Sequence, residues 1–97
     1  LFPWQWFAQQ GVGAWPDAAR VTYFLAGRAP GQRVDKAKLL GLLASYGYEV
    51  TKEMAPYQQQ ALIAAFQMHF RPADYRGVAD AETEAIAAAL VEKYGTE

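Results

Sequence analysis

Apolar residues recur at helical spacing in three segments of the chain, each bounded by residues that start or stop a helix. After Asp35, a typical N-cap residue, leucines and a tyrosine repeat at i, i+3, i+4 and i+7 until Gly47. Pro56 begins a second segment, whose apolar stripe continues to Phe70. Asp80 precedes the third. These spacings predict three amphipathic helices.

The third predicted helix has acidic residues in its first turn, where their negative charge interacts favourably with the positive end of the helix dipole. Gly95 is expected to end it. Its predicted inward face consists of Ile86, Ala87, Leu90 and Tyr94. Three amphipathic helices joined by short loops predict an all-α fold, a small three-helix bundle.

The first part of the chain predicts one or two further short helices. Pro3 suits a first helical turn, and a second segment begins after Asp17 and ends at Gly27. Residues 21–24 would also suit a strand, because they are β-branched or aromatic. A helix this short needs a larger body to pack on. Residues 28–33, RAPGQR, carry Pro and Gly without apolar periodicity and are the candidate linker.

Composition narrows the classes of function. The 97 residues carry a formal net charge of −1, and the nine basic residues are scattered along the chain. A nucleic-acid interface needs a clustered positive face, so no nucleic-acid partner is expected. No apolar run approaches the roughly 20 residues that span a bilayer, so no membrane contact is expected either. The chain has no cysteine, which excludes disulfides and thiolate metal sites.

Candidate catalytic chemistry is sparse. His69 is the only histidine, and it has no acid at i±3 or i±4 on its helix. It is either a metal ligand or general base, or a histidine at the edge of the core making a structural hydrogen bond, and the second alternative is favoured. Ser45 stands without a base, and the glutamates of the last helix suit a solvated face. We therefore expect no catalytic residue and no metal ligand in this chain.

Gln67 is the polar residue that the pattern singles out, because it lies beside the apolar stripe of the second helix. Its amide offers two donors and an acceptor. It could bind a polyhydroxylated ligand, or it could hold the backbone of a neighbouring loop. The sequence leaves both alternatives open and favours the second.

Residues 34–97 resemble a peptidoglycan-binding domain of the three-helix type. The matching stretches are LLGLLASYGYEV, ALIAAFQ and GVADAETEAIAAAL. The family's Gly-Tyr pair corresponds to Gly47 and Tyr48, and its Phe-Gln pair ends at Gln67. Its glycine turn and first-turn threonine correspond to Gly77 and Thr83.

The whole chain is similar to the C-terminal part of zinc-dependent N-acetylmuramoyl-L-alanine amidases of the AmpD/AmiD type. The stretches FPW, GVGAWP, FLAGRAP, AFQMHFRP and ADAET occur in order. The resemblance implies that residues 1–27 are the C-terminal end of the catalytic domain, that residues 28–33 are a linker, and that residues 34–97 form the peptidoglycan-binding-like domain. It places the zinc ligands upstream, so no cofactor is implied for this chain and zinc is implied for the parent enzyme. The aromatic residues implied to contact the catalytic domain are Phe2, Trp4, Trp6, Phe7 and Trp15.

The function implied is cell-wall binding and docking for an enzyme that hydrolyses the amide between N-acetylmuramic acid and L-alanine. In such enzymes a zinc-activated water attacks the carbonyl. The alternative is a structural appendage that packs on the catalytic domain and binds no glycan. The implied location is the bacterial cell envelope, in the periplasm, with the parent a candidate outer-membrane lipoprotein. The candidate residues for binding glycan and stem peptide are Tyr48, Gln67, Tyr75, Arg76 and Asp80.

Overall fold

The computed structural model describes residues 16–94, and those residues form an all-helical domain. The elements are α1 (Ala18–Leu25), α2 (Lys36–Tyr46), α3 (Pro56–Phe70) and α4 (Ala81–Tyr94). Within this range there is no strand, only an isolated antiparallel bridge between Arg33 and Asp80. The predicted all-α class is confirmed. The helix predicted after Pro3, the aromatic contacts of residues 2–15 and the stop at Gly95 lie outside the described residues.

Local sequence signals fix most helix ends. Asp17 and Asp35 each cap a helix, accepting hydrogen bonds of 2.9 Å from the amides of Ala19 and Ala37. Helix α3 begins at its proline, and α2 ends at Gly47, whose φ of 132° suits glycine. These boundaries are predictable from residues within one turn of each helix end.

Two details differ from the prediction. Ala26, rather than Gly27, is the C-cap of α1, with a φ of 57° in the left-handed region. The prediction that Tyr94 belongs to the inward face of α4 is wrong, because 40% of its surface is exposed. The last turn of α4 extends beyond the core, whose last member on that helix is Leu90. The strand alternative for residues 21–24 is also excluded, since they lie within α1.

Helix α4 is the centre of the domain. Helices α1 and α2 both pack on it. Helix α3 reaches the same core through Ile63, Phe66 and Phe70. Small side chains on α4 allow its neighbours to approach closely. Its buried residues are Ala81, Thr83, Glu84, Ala85, Ile86, Ala87, Ala89 and Leu90.

Two arginines tie α1 to α4. Nε and Nη2 of Arg28 donate to the last carbonyls of α1, and Nη1 lies 2.8 Å from Oε1 of Glu84, which is buried. At the other end, Arg20 pairs with Glu92 at 2.7 Å on the surface. Val21 packs against the core between them. The division of the chain at 28–33 stays a prediction, and α1 packs directly on the region that follows it.

The 28–34 segment makes hydrogen bonds to the first turn of α4. Amides in the first turn of a helix have no acceptor within that helix. The amide of Ala81 donates to the carbonyl of Gln32 at 2.8 Å, and that of Glu82 donates to the carbonyl of Pro30 at 3.0 Å. This segment is therefore bound to the domain. No helix within residues 16–94 has the length and apolar character needed to cross a membrane.

Candidate functional site

The loop between α3 and α4, residues 71–80, contains three of the candidate residues, Tyr75, Arg76 and Asp80. A fourth, Gln67, lies on α3 and forms hydrogen bonds with the loop. The Gln67 amide donates to the carbonyl of Val78 at 2.8 Å and to Oγ1 of Thr83 at 2.9 Å. Its oxygen accepts from the amide of Gly77 at 2.8 Å. Gln67 is completely buried, so every polar group it offers is used inside the protein. Of its two alternatives, the one that holds a loop backbone is confirmed.

Asp80 lies at the end of this loop and is also buried. One carboxylate oxygen caps α4, accepting from the amide of Thr83 at 2.9 Å, as predicted. The other lies 3.0 Å from Nη1 of Arg71. Arg71 also pairs with Glu82 at 2.8 Å and donates to the carbonyl of Asp74 at 2.9 Å. Asp80 therefore contributes charge and hydrogen bonds to the base of the loop.

Sequence reasoning missed Arg71. Its place between the last residue of α3 and Pro72 gave one signal, since a cation suits the end of a helix. Its partners are three to eleven residues away along the chain, and nothing local identifies them. Its Nε is buried without a hydrogen-bond partner among the described residues.

Gly77 brings the loop against α3. Its φ of 82° lies in the left-handed region, and a Cβ there would lie 2.6 Å from both Cγ and the carbonyl oxygen of Gln60. Nε2 of Gln60 donates to the carbonyl of Arg76 at 3.0 Å. Only glycine permits this approach.

The solvent side of the loop presents Tyr75 and Arg76. Tyr75 is 51% exposed, and with Arg76 it lines a shallow cavity of about 500 Å³. Nε and Nη2 of Arg76 donate to the two carboxylate oxygens of Asp74, at 2.8 and 2.7 Å. These hydrogen bonds lower the pKa of Asp74 from 3.8 to about 2. The fork of Arg76 is thus already occupied by a carboxylate from its own loop.

Tyr48 lies in a different part of the domain. Its ring meets Phe66 edge to face, with centroids 5.9 Å apart, and burial raises the pKa of its hydroxyl. It lines a cavity of about 420 Å³ with Tyr46 and Tyr94, whereas the cavity at Tyr75 has different walls. The structure therefore brings Gln67, Asp80, Tyr75 and Arg76 to one loop and leaves Tyr48 outside that group.

The described residues do not fit a zinc site. No three His, Cys, Asp or Glu side chains between residues 16 and 94 are arranged to hold a metal ion. His69 is partly buried beside Phe70, with ring centroids 4.4 Å apart, and burial lowers its pKa. Residues 16–94 therefore supply hydrogen bonds, charge and aromatic surface rather than a set of metal ligands.

No protein-family model matches the chain. It is 66% identical over 95 residues to the N-acetylmuramoyl-L-alanine amidase AmiD of Escherichia coli. The match covers 98% of this chain and 34% of AmiD, so the chain spans about a third of the length of this relative. The chain matches part of an AmiD-like N-acetylmuramoyl-L-alanine amidase.

Solved structures agree with that match. AmiD from E. coli, in complex with anhydro-N-acetylmuramic acid-L-Ala-D-γ-Glu-L-Lys, aligns with a TM-score of 0.94 and 65% identity. The alignment covers 100% of this chain and 38% of AmiD. AmpDh3 from Pseudomonas aeruginosa, in complex with an anhydromuramic pentapeptide, aligns with a TM-score of 0.84 and 38% identity, over 98% of this chain and 37% of AmpDh3. The chain is therefore similar to part of the amidase AmiD and to part of AmpDh3, both solved with a muropeptide.

Proposed function

We propose that this chain is a cell-wall-binding and docking region of an N-acetylmuramoyl-L-alanine amidase, acting in the bacterial periplasm. Its similarity to AmiD and AmpDh3, both solved with muropeptides, supports peptidoglycan as the class of ligand. The zinc site and the hydrolysis would belong to the parts of the parent enzyme outside this chain. A parent held at the outer membrane as a lipoprotein is consistent with this role.

The observation that carries the binding role is the construction of the 71–80 loop. Buried side chains fix its backbone, and Tyr75 and Arg76 face solvent on that fixed backbone. A ring can stack on a sugar, and a guanidinium can bind the carboxylate of a stem peptide. In this proposal Gln67 and Asp80 position the loop rather than contact the ligand.

Docking would raise the rate of hydrolysis through effective concentration. A second binding region on the same polypeptide keeps the glycan near the catalytic centre, even when its own affinity is modest. The aromatic residues Phe2, Trp4, Trp6, Phe7 and Trp15 remain the proposed contacts with the catalytic domain.

The alternative is a structural appendage without glycan binding. Two observations favour it: Gln67 and Asp80 are committed to internal bonds, and Arg76 is paired with Asp74. A ligand carboxylate would have to compete with Asp74 for the guanidinium. The two functions therefore differ in whether the loop surface binds cell wall at all.

Sedimentation with purified sacculi separates the two functions. The double variant Tyr75→Ala/Arg76→Ala should bind sacculi more weakly while its melting temperature stays nearly unchanged, because both side chains are exposed. The control is Tyr23→Ala/Arg20→Ala on α1, which removes the same two residue types from a different surface of the domain. Unchanged sedimentation of the loop variant would remove this surface from consideration. If the unsubstituted chain does not sediment, the structural function is correct.

A further inference from the structure

A further groove lies on the domain, and none of the candidate binding residues lines it. Its volume is about 500 Å³. One wall is the start of α2 with the residues before it, the second is the first turn of α3, and the third is the 77–79 stretch. Its lining includes Arg33, Lys36, Tyr57 and Gln60. The groove is therefore formed where three separate parts of the chain meet.

The charge of this groove sets it apart. Arg33 and Lys36 line it, and no acidic residue does. Within residues 16–94, every other arginine is paired with a carboxylate, as the contacts of Arg20, Arg28, Arg71 and Arg76 show. Neither Arg33 nor Lys36 forms an ion pair with any residue in that range. In a chain whose net charge is −1, the groove is a local excess of positive charge.

The walls of the groove are fixed before any ligand arrives. Nε2 of Gln60 donates to the carbonyl of Arg76, and Gly77 lies so close to Gln60 that an added Cβ would be 2.6 Å from its carbonyl oxygen. The amide of Val34 donates to the carbonyl of Ala79 at 3.1 Å, which joins the first wall to the third. A preformed site loses less conformational entropy on binding than a flexible one.

Tyr57 gives the rim an exposed ring. It is 73% exposed, more than any other large hydrophobic residue of the described range. A tyrosine offers a flat apolar face and a hydroxyl at low conformational cost. Beside two cations, this ring suits a ligand that combines a sugar or aliphatic face with negative charge.

We propose that this groove binds a carboxylate of an acidic muropeptide, with Arg33 and Lys36 on the carboxylate and Tyr57 against the adjoining sugar or peptide. The proposal rests on the proposed cell-wall function and assigns its charged contact to a surface other than the 71–80 loop. Arg33 binds through its guanidinium fork and Lys36 as a point charge. Arg76, already paired with Asp74, is then not required for the charged contact.

The test uses the full 97-residue chain and the soluble probe anhydro-N-acetylmuramyl-L-Ala-D-γ-Glu-L-Lys. Calorimetry of the double variant Arg33→Gln/Lys36→Gln should show affinity at least about tenfold weaker, as expected for the loss of charge-assisted hydrogen bonds. The control Lys52→Gln/Lys93→Gln removes the same charge from residues outside the groove and should bind like the unsubstituted chain. Tyr57→Ala should also weaken binding, whereas Tyr23→Ala should not.

Two further measurements address the carboxylate itself. The affinity of the unsubstituted chain should fall as salt is raised, and that of Arg33→Gln/Lys36→Gln should change little. A probe whose carboxylates are converted to amides should bind the unsubstituted chain about as weakly as the acidic probe binds the double variant. Equal binding of the acidic and amidated probes would overturn the carboxylate assignment.

The outcomes distinguish this proposal from the proposed function. If the chain binds sacculi and the probe, and Arg33→Gln/Lys36→Gln binds both equally well, the groove proposal is wrong and the cell-wall function stands. If the unsubstituted chain binds neither, both are wrong. Circular dichroism of each variant confirms that the fold is retained, and the backbone bridge at Arg33 does not depend on its side chain.

Discussion

Helix α4 is held by different kinds of polar contact on its two sides. Towards the 71–80 loop, the ion pairs of Arg71 are accompanied by buried side chains that bind backbone atoms directly, and Gln67 alone makes three hydrogen bonds, two of them to the backbone. Towards α1, the polar contacts are ion pairs between long side chains, one with a buried acid and one on the surface. Bonds to the backbone fix a loop's course, whereas side-chain pairs tolerate adjustment. The loop proposed to contact the ligand is therefore held in a more closely defined position than α1.

Gly77→Ala should have the largest effect on stability. The added Cβ would lie 2.6 Å from Cγ and the carbonyl oxygen of Gln60, and the alanine would also have to adopt a positive φ. Together these should cost about 3 kcal/mol or more. Urea unfolding measures the loss. Gly41→Ala is the control: it lies within α2 with open space around its Cβ, and should stabilise by up to about 1 kcal/mol. Equal effects of the two substitutions would show that the loop does not pack on α3 as described.

Gln67→Leu should cause the next largest loss of stability. It keeps the size of the side chain but leaves the Gly77 amide and the Val78 carbonyl without their partner in a buried site. The expected loss is about 2–3 kcal/mol. Gln58→Leu, which removes one exposed bond to the Ala55 amide, should cost less than about 1 kcal/mol. Amide exchange should quicken at Gly77 in the first variant only, and protected exchange there would contradict the contact.

On the α1 side, Arg28→Gln should cost about 1–2 kcal/mol because it leaves Glu84 buried without its counter-charge. A second substitution, Glu84→Gln, should restore part of this loss. Arg20→Gln should have a much smaller effect, since that pair is exposed to solvent. Thermal melts of the three variants measure the ranking. If Arg20→Gln cost as much as Arg28→Gln, burial would not be what distinguishes the two pairs.

The smallest expected effect is the pH dependence of stability that Asp74 contributes. The pKa of Asp74 is about 2 in the folded chain, below its ordinary value of 3.8, because Arg76 binds the carboxylate. Its contribution to stability is therefore present above about pH 4 and lost as the pH falls towards 2. An NMR titration of the Asp74 carboxyl group measures this directly. Arg76→Gln should return the pKa towards 3.8, and Arg20→Gln should leave it unchanged. A midpoint near 3.8 in the unsubstituted chain would contradict the pairing.

How much the sequence could predict depended on the distance between partners. Asp35, Asp80 and Pro56 begin helices through contacts within one turn, and their positions were predictable from residue type and apolar spacing. The favoured alternative for Gln67 was also correct, because an amide beside an apolar stripe has few other partners. The arginine pairs were not predictable. Arg28 and Glu84 are brought together only by the packing of α1 on α4, and no local pattern records that packing.

The carbonyls of Pro30 and Gln32 have a consequence for the order of folding. They complete the first turn of α4, which lies about fifty residues later in the chain. Closing a loop of that length costs entropy before the contact stabilises anything, so we expect these two hydrogen bonds to form late in folding. During synthesis, the carbonyls of Pro30 and Gln32 cannot bond to the amides of Ala81 and Glu82 until these residues have been made. Protection of the amides of Ala81 and Glu82 would thus show that the 28–34 segment has bound to α4.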